Sequence, residues 1–137
     1  MNVIVDTCIW SLALRRQSSE TNIIIKRQIE TLIRNNQVVM LGVIRQEILS
    51  GIRQDNPFLK LRDYLRAFSD FPVTIKDHEN AAKLFNICRK NGIQGSNTDF
   101  LICAVAQANN FQIFTVDRDF EQFSNHIGII KYDLTEP

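Results

Sequence analysis

MNVIVDTCIW, residues 1–10, contains the stretch on which the fold turns: VIVDTC at residues 3–8. Residues 2–6 (NVIVD) carry apolar side chains on both sides of the pleat, the pattern of a short strand buried on both faces. Such strands belong to parallel sheets covered by helices. The run stops on Asp6, and a carboxylate at the margin of a core is costly unless something compensates it. Asp6 is either the cap of the next helix or one of several acids that share a compensating ligand. The rest of the chain bears on which.

Strand-like runs return at residues 37–41 (QVVML), 72–75 (PVTI), 111–117 (FQIFTVD) and 127–131. Between them the apolar residues fall at helical spacing. Residues 9–16 can form a short helix, QSSE at 17–20 is a loop, and residues 21–35 place Ile25, Ile29 and Leu32 on one stripe. Residues 43–53 do the same with Ile44, Ile48 and Ile52, and Asn56-Pro57 opens a helix to residue 68 through Leu61, Leu65 and Phe68. Asp77 can cap a helix to residue 90 that gathers Ala81, Leu84, Phe85 and Cys88, and Asn91-Gly92 stops it. The turn-rich GIQGSNTD at 92–99 leads into a helix over 98–108, and residues 118–123 form a last short one. Strands that keep returning after helices predict an α/β domain with a mainly parallel, five-stranded sheet covered on both sides.

The chain of 137 residues, 45% of them hydrophobic, has the size of one domain with a proper core, spanning residues 1–137. No run reaches the roughly 18 apolar residues of a membrane span, and the start has neither a basic leader nor a small-residue cleavage site, so a cytoplasmic location with no membrane is expected. Cys8, Cys88 and Cys103 are widely spaced in apolar surroundings and read as reduced core thiols, not as a zinc site or a disulfide framework. The 16 basic residues nearly balance the 15 acidic ones. With four acids set aside in a metal-holding pocket, 16 positive charges face 11 negative ones, so the balance leaves a polyanionic substrate open.

In an open parallel sheet, functional groups gather beyond the carboxyl ends of the strands. Asp6 ends the first strand and Asp117 follows the fourth. Glu47 lies one turn into the helix after the second strand, flanking Ile44 and Ile48, and Asp99 heads the stripe of Ile102 and Cys103. Each acid alone has an ordinary explanation as a cap, a first-turn charge or a turn residue, Asp119 included. Four at one edge would repel one another, and a divalent cation relieves that repulsion. Oxygen-only ligation suits Mg²⁺ or Mn²⁺. Thr7 and Thr115, each beside a strand end, and Ser96, Asn97 and Thr98 could hold a carboxylate or water in place.

On these stretches, VDTCIW with Asp6, VIRQEIL with Glu47, SNTDFLICAVAQANN with Asp99 and IFTVDRDFEQF with Asp117, the chain resembles PIN-domain proteins of the VapC toxin family. The resemblance runs nearly the full length. It implies a three-layer α/β/α sandwich and a Mg²⁺- or Mn²⁺-dependent endoribonuclease, neutralised by a cognate VapB-like antitoxin and commonly a homodimer. Asp6, Glu47, Asp99 and Asp117 match the family's four acids, with Asp6, Asp99 and Asp117 as metal ligands. Glu47, Asp119, Thr7 and Thr115 are candidates for a further metal contact or for holding a ligand. Thr7 matches the hydroxyl residue that often follows the first acid.

A metal-activated water attacking phosphorus would make the RNA's 2′-hydroxyl unnecessary as nucleophile. Arg45 and Arg118 are the nearest candidates for phosphate contact, with Arg15, Arg16 and Arg53 beyond them. Ile23, Ile24, Ile25, Ile29, Phe58 and Tyr64 could contribute to an antitoxin groove or a dimer contact, or simply to the core. Two other readings stand beside the toxin: a PIN-like DNA or RNA-processing nuclease outside a toxin–antitoxin pair, and a non-catalytic RNA- or protein-binding module. An aspartyl-nucleophile phosphatase fits poorly, because Cys8 and not a second aspartate follows two residues after Asp6.

Overall fold

The computed structural model describes residues 1–14 and 19–134, which leaves the 17–20 loop described only in part and Arg15 and Arg16 outside the described residues. The elements run β1 (Val3–Val5), α1 (Thr7–Ala13), α2 (Glu20–Arg34), β2 (Val38–Val39), α3 (Gly42–Ser50), α4 (Asp55–Leu65), α5 (Ile75–Lys90), α6 (Asn97–Asn109), β3 (Gln112–Phe114), α7 (Asp119–Ser124) and β4 (Ile130–Lys131). The strands form one parallel sheet in the order β2-β1-β3-β4. From β1 the chain crosses one way to β2, then back over β1 to β3 and on to β4. Right-handed crossovers place those two directions on opposite faces, giving an α/β/α sandwich.

The sheet has four strands, not the expected five. Residues 72–75 are not a strand: Ile75 begins α5 and is 81% exposed. Pro72 has no N–H for a ladder. Thr74 and Asp77 form a capping box, in which the Asp77 N–H donates to Thr74 Oγ1 at 3.2 Å and the Thr74 N–H donates to Asp77 Oδ2 at 2.9 Å. Helix initiation therefore takes the donors a strand would need. Ahead of residues 72–75, one isolated parallel bridge joins Met40 to Asp70. The same box makes Thr74 the cap of α5, with Asp77 in its first turn.

Strands β1 and β3 are buried throughout except for the half-buried Gln112, as strands covered on both faces must be. Around them lie Ile9 and Trp10 of α1, Ile25, Ile29 and Leu32 of α2, Ile44 and Ile48 of α3, and the wholly buried run Phe100–Ala106 of α6. α5 ends at Lys90 with Asn91 as its C-cap, and Gly92 takes the positive φ of 75° that lets the chain turn away.

One aromatic cluster sets the spacing of the two helices that matter most. Phe100 of α6 meets Phe123 of α7 with ring centroids 4.7 Å apart, and Phe120 meets Phe123 at 5.3 Å. Gly95, just before α6, lets the loop lie against these rings. A Cβ there would stand 2.5 Å from Phe123 Cζ and 2.9 Å from Phe100 Cε2. Because Phe100 follows Asp99 and Phe120 follows Asp119, the packing that joins the rings also brings the two acids to one place.

Candidate metal centre

The sheet's direction of travel reverses between β1 and β3, so chain leaving their carboxyl ends goes to opposite faces and a crevice opens there. Val5 pairs with Phe114, and the Asp6 N–H donates to the Phe114 carbonyl at 2.9 Å. This register sets Asp6 beside Thr115. The Thr115 hydroxyl donates to Asp6 Oδ2 at 2.8 Å and accepts the Asp117 N–H at 3.0 Å, so one oxygen ties the two strand exits together. Asp6 is buried at 6% exposure and caps α1, with Oδ1 accepting the Thr7 N–H at 2.8 Å. The cap explanation weighed for Asp6 is therefore observed, and the same side chain stands beside the strand exit that carries Asp117.

Asp99, Asp117 and Asp119 each offer a carboxylate oxygen within 4.8 Å of the other two. Asp99 comes from the first turn of α6, where it completes a capping box with Ser96: its N–H donates to Ser96 Oγ at 3.1 Å, and its Oδ2 accepts the Ser96 N–H at 3.3 Å. Asp117 sits in the exit from β3, and its Oδ1 accepts the Asp119 N–H at 3.0 Å, a turn that folds Asp119 back toward it. Asp119 opens α7 and is exposed, while Asp99 and Asp117 are half-buried.

Two unit negative charges 4.8 Å apart repel by about 1 kcal/mol in water and about 3.5 kcal/mol at an effective dielectric of 20. Among the described residues no lysine or arginine forms an ion pair with any of the three. Burial pushes the Asp99 carboxyl above its ordinary range. Its two Ser96 hydrogen bonds oppose the rise, and the charges of Asp6 and Asp117 add to it. An all-oxygen, uncompensated set of this size fits a hard divalent cation and offers nothing that selects zinc.

Asp6 and Glu47 stand outside this oxygen triad. Asp6 acts on it through charge and through Thr115. Glu47 lies on the exposed side of α3, where its Oε1 accepts the Thr7 hydroxyl at 2.8 Å. Thr7 thus connects the acid of α3 to the end of β1. Thr7, Glu47 and Thr98 line one cleft of about 420 Å³.

Sequence reasoning passed over Cys8 as a core thiol. Its Sγ lies 3.5 Å from both Asp6 Oδ2 and Thr115 Oγ1, and burial, then the Asp6 charge, pushes the thiol up. Its position two residues after Asp6 was the available signal. All three cysteines are free.

The basic candidates separate. Arg45 Nε donates to Asp70 Oδ1 at 3.0 Å, Nη1 donates to the Leu65 carbonyl at 2.9 Å, and Nη2 donates to the Phe68 carbonyl. Its guanidinium therefore ties α3 to the end of α4. Arg118 lies between Asp117 and Asp119, is exposed, and has no ion-pair partner among the described residues. Of the apolar candidates, Ile25 and Ile29 are core, whereas Ile23, Ile24 and Tyr64 are exposed. Leu14, Ile48, Leu61 and Tyr64 line a groove of about 590 Å³ that reaches Glu47.

The sequence matches the PIN domain family over residues 3–125. No curated protein matches the chain. Among solved structures, the chain is similar to FitAcB from Neisseria gonorrhoeae (17% identity, TM-score 0.76, covering 96% of this chain and 97% of that one). It is also similar to VapBC2 from Rickettsia felis bound to a promoter DNA fragment (19%, 0.74, covering 97% and 100%). A third likeness is VapBC-1 from nontypeable Haemophilus influenzae (17%, 0.71, covering 99% and 100%). At these identities the likeness is one of fold. Among the described residues no helix is long and apolar enough to cross a membrane.

Proposed function

The chain belongs to the PIN domain family, and from that premise we propose that it is a divalent-metal-dependent endoribonuclease toxin acting as a single domain over residues 1–137. The observation that carries the reading is the meeting of Asp99, Asp117 and Asp119 at the carboxyl edge where the sheet reverses, with no basic partner among the described residues. These three would hold Mg²⁺ or Mn²⁺. When bound, the cation supplies Lewis acidity toward the phosphoryl oxygens and makes a water nucleophilic at neutral pH.

The protein's own groups do the rest. Thr115 keeps Asp6 and the Asp117 backbone in fixed relation, so the carboxylates are placed before substrate arrives. Asp6 adds negative charge that favours a cation at Asp99. The Thr7 hydroxyl holds one oxygen of Glu47, leaving the other to accept a proton from the attacking water. Arg118, beside Asp117 and without an ion-pair partner among the described residues, is placed to meet a phosphate oxygen. Water then displaces the leaving oxygen at phosphorus, and the 2′-hydroxyl takes no part.

The likeness to VapBC2, which is solved bound to a promoter DNA fragment, supports an antitoxin partner for this chain as well. The groove of Leu14, Ile48, Leu61 and Tyr64 ends on Glu47, so an antitoxin segment lying in it would reach the acidic site. A homodimer is part of the same reading, and light scattering on the purified chain tests it. The decisive experiment is cleavage of total cellular RNA by antitoxin-free protein with Mg²⁺ or Mn²⁺, with EDTA, and with Asp99→Asn and Asp117→Asn. Discrete fragments that require metal and vanish in both variants are expected. No cleavage by folded protein in either metal would overturn the reading.

A further inference from the structure

We propose that the hollow between α5 and α6 is a base-binding subsite, which takes one unpaired nucleobase of the RNA strand beside the phosphate held at the acids. This rests on the nuclease reading above. The cavity has a volume of about 400 Å³. Val43, Phe85 and Phe100 make its floor, the two rings meeting edge to face with centroids 5.4 Å apart. His78 and Asn86 of α5 and Asn97 of α6 bring polar groups to it.

The hollow is continuous with the site. Val43 and Thr98 wall it and also wall the neighbouring cleft that contains Thr7 and Glu47. Thr98 directly precedes Asp99. A strand whose phosphate lies at the acids therefore has this hollow next to it. Among the described residues no lysine, arginine or carboxylate belongs to the lining, and His78 is its one titratable group. An apolar floor with a few convergent amides suits a flat heteroaromatic group that is splayed out of a single strand.

A carboxamide carries the donor and the acceptor that a base edge requires. Asn86 Oδ1 accepts from Arg89 Nη2 at 3.1 Å, which leaves its NH₂ as the donor for a ligand. The Arg89 guanidinium stands 5.6 Å over the Phe85 ring and steadies that arrangement.

The test uses the whole chain and the four ribonucleosides, which lack a phosphate and so are not repelled by the acids. Amide shifts are followed in EDTA for wild type, Ala82→Trp, which fills the hollow from its exposed rim, and Asn86→Ala. Wild type is expected to show saturable shifts at Ala82, Asn97 and Thr98 with at least one nucleoside, and Ala82→Trp to lose them. In mapped cleavage of a random single-stranded RNA with Mg²⁺, Asn86→Ala is expected to lose ~10-fold of the base preference at one position beside the cut while still cleaving.

Absence of nucleoside shifts in wild type overturns the subsite even if RNA is cleaved. Shifts that survive Ala82→Trp overturn it too. A change of oligomeric state in Ala82→Trp would assign the hollow to an interface between copies and also overturn it. Nucleoside binding here in a protein that cleaves no RNA would uphold the subsite and sink the nuclease reading instead.

Discussion

Replacing Thr115 with valine tests how the acids are held. Its hydroxyl donates to Asp6 Oδ2 at 2.8 Å and accepts the Asp117 N–H at 3.0 Å. Valine keeps the β-branched shape, so the substitution opens no cavity and removes only the hydroxyl. A hydrogen bond to an ionised group contributes about 1.5–3 kcal/mol and a neutral one about 1 kcal/mol. Thr115 is half-buried, water can reach part of the gap, and the Cys8 thiol 3.5 Å away still faces Asp6 Oδ2, so a net loss of about 2 kcal/mol is expected. For a chain of 137 residues that is a fall in Tm of about 6–8 °C.

Thr115→Ser keeps both hydrogen bonds and sheds one methyl, at most about 0.8 kcal/mol. The second readout is the rise in Tm on adding Mg²⁺. It should shrink in the valine variant, because the Asp117 backbone is no longer tied to Asp6, and persist in the serine variant. Differential scanning calorimetry with EDTA and with Mg²⁺ gives both numbers. A valine variant that melts within about 1 °C of wild type and keeps the whole Mg²⁺ shift would refute the reasoning.

Asp117→Asn should raise stability in EDTA by about 1 kcal/mol, by removing a repulsion screened at a half-exposed site, while abolishing the Mg²⁺ shift and lowering cleavage by on the order of 10²-fold or more. Chemical denaturation and RNA cleavage check the two halves. For Asp99, the raised carboxyl means that the metal-free folded chain binds a proton more tightly than the unfolded one. Its contribution to stability is therefore complete below the ordinary carboxylate pKa and is lost as pH rises through the raised one. Asp99→Asn should flatten that slope in EDTA melts, and in wild type the Mg²⁺ shift should weaken as pH falls into the same range. Arg45→Ala should cost about 2–3 kcal/mol through its ties to Asp70, Leu65 and Phe68 yet keep the Mg²⁺ shift. Arg118→Ala should leave stability within about 0.5 kcal/mol and reduce the salt slope of RNA binding by about 1.

The parallel sheet and the acidic edge were legible because both depend on local pattern: apolar runs that end on acids, and helices that begin near them. The strand expected at residues 72–75 rested on Val73 and Ile75 standing two apart, a period-2 signal carried by only two residues. The Thr74-x-x-Asp77 box and the missing N–H of Pro72 outweigh that alternation. Asp119 was harder to rank. Its nearness to Asp99 comes from Phe100, Phe120 and Phe123 packing across α6 and α7, a contact between residues 20 or more apart that no periodicity announces. Arg45 looked like a phosphate ligand from its place near Glu47, while its partners come from the end of α4 and the residues beyond it.

Asp6 is also the cap of α1 and Asp99 the first-turn partner in the Ser96 capping box of α6, and this gives the chain an uneven mutational terrain. A change to alanine at either removes a charge from the acidic edge and a cap that contributes about 1 kcal/mol, so the lesion lowers the amount of folded chain together with its chemistry. Asp119 is exposed and caps nothing, so its loss is nearly free for folding. A chain changed at Asp119 should therefore accumulate as wild type does, whereas a change at Asp6 should send the chain toward proteolysis.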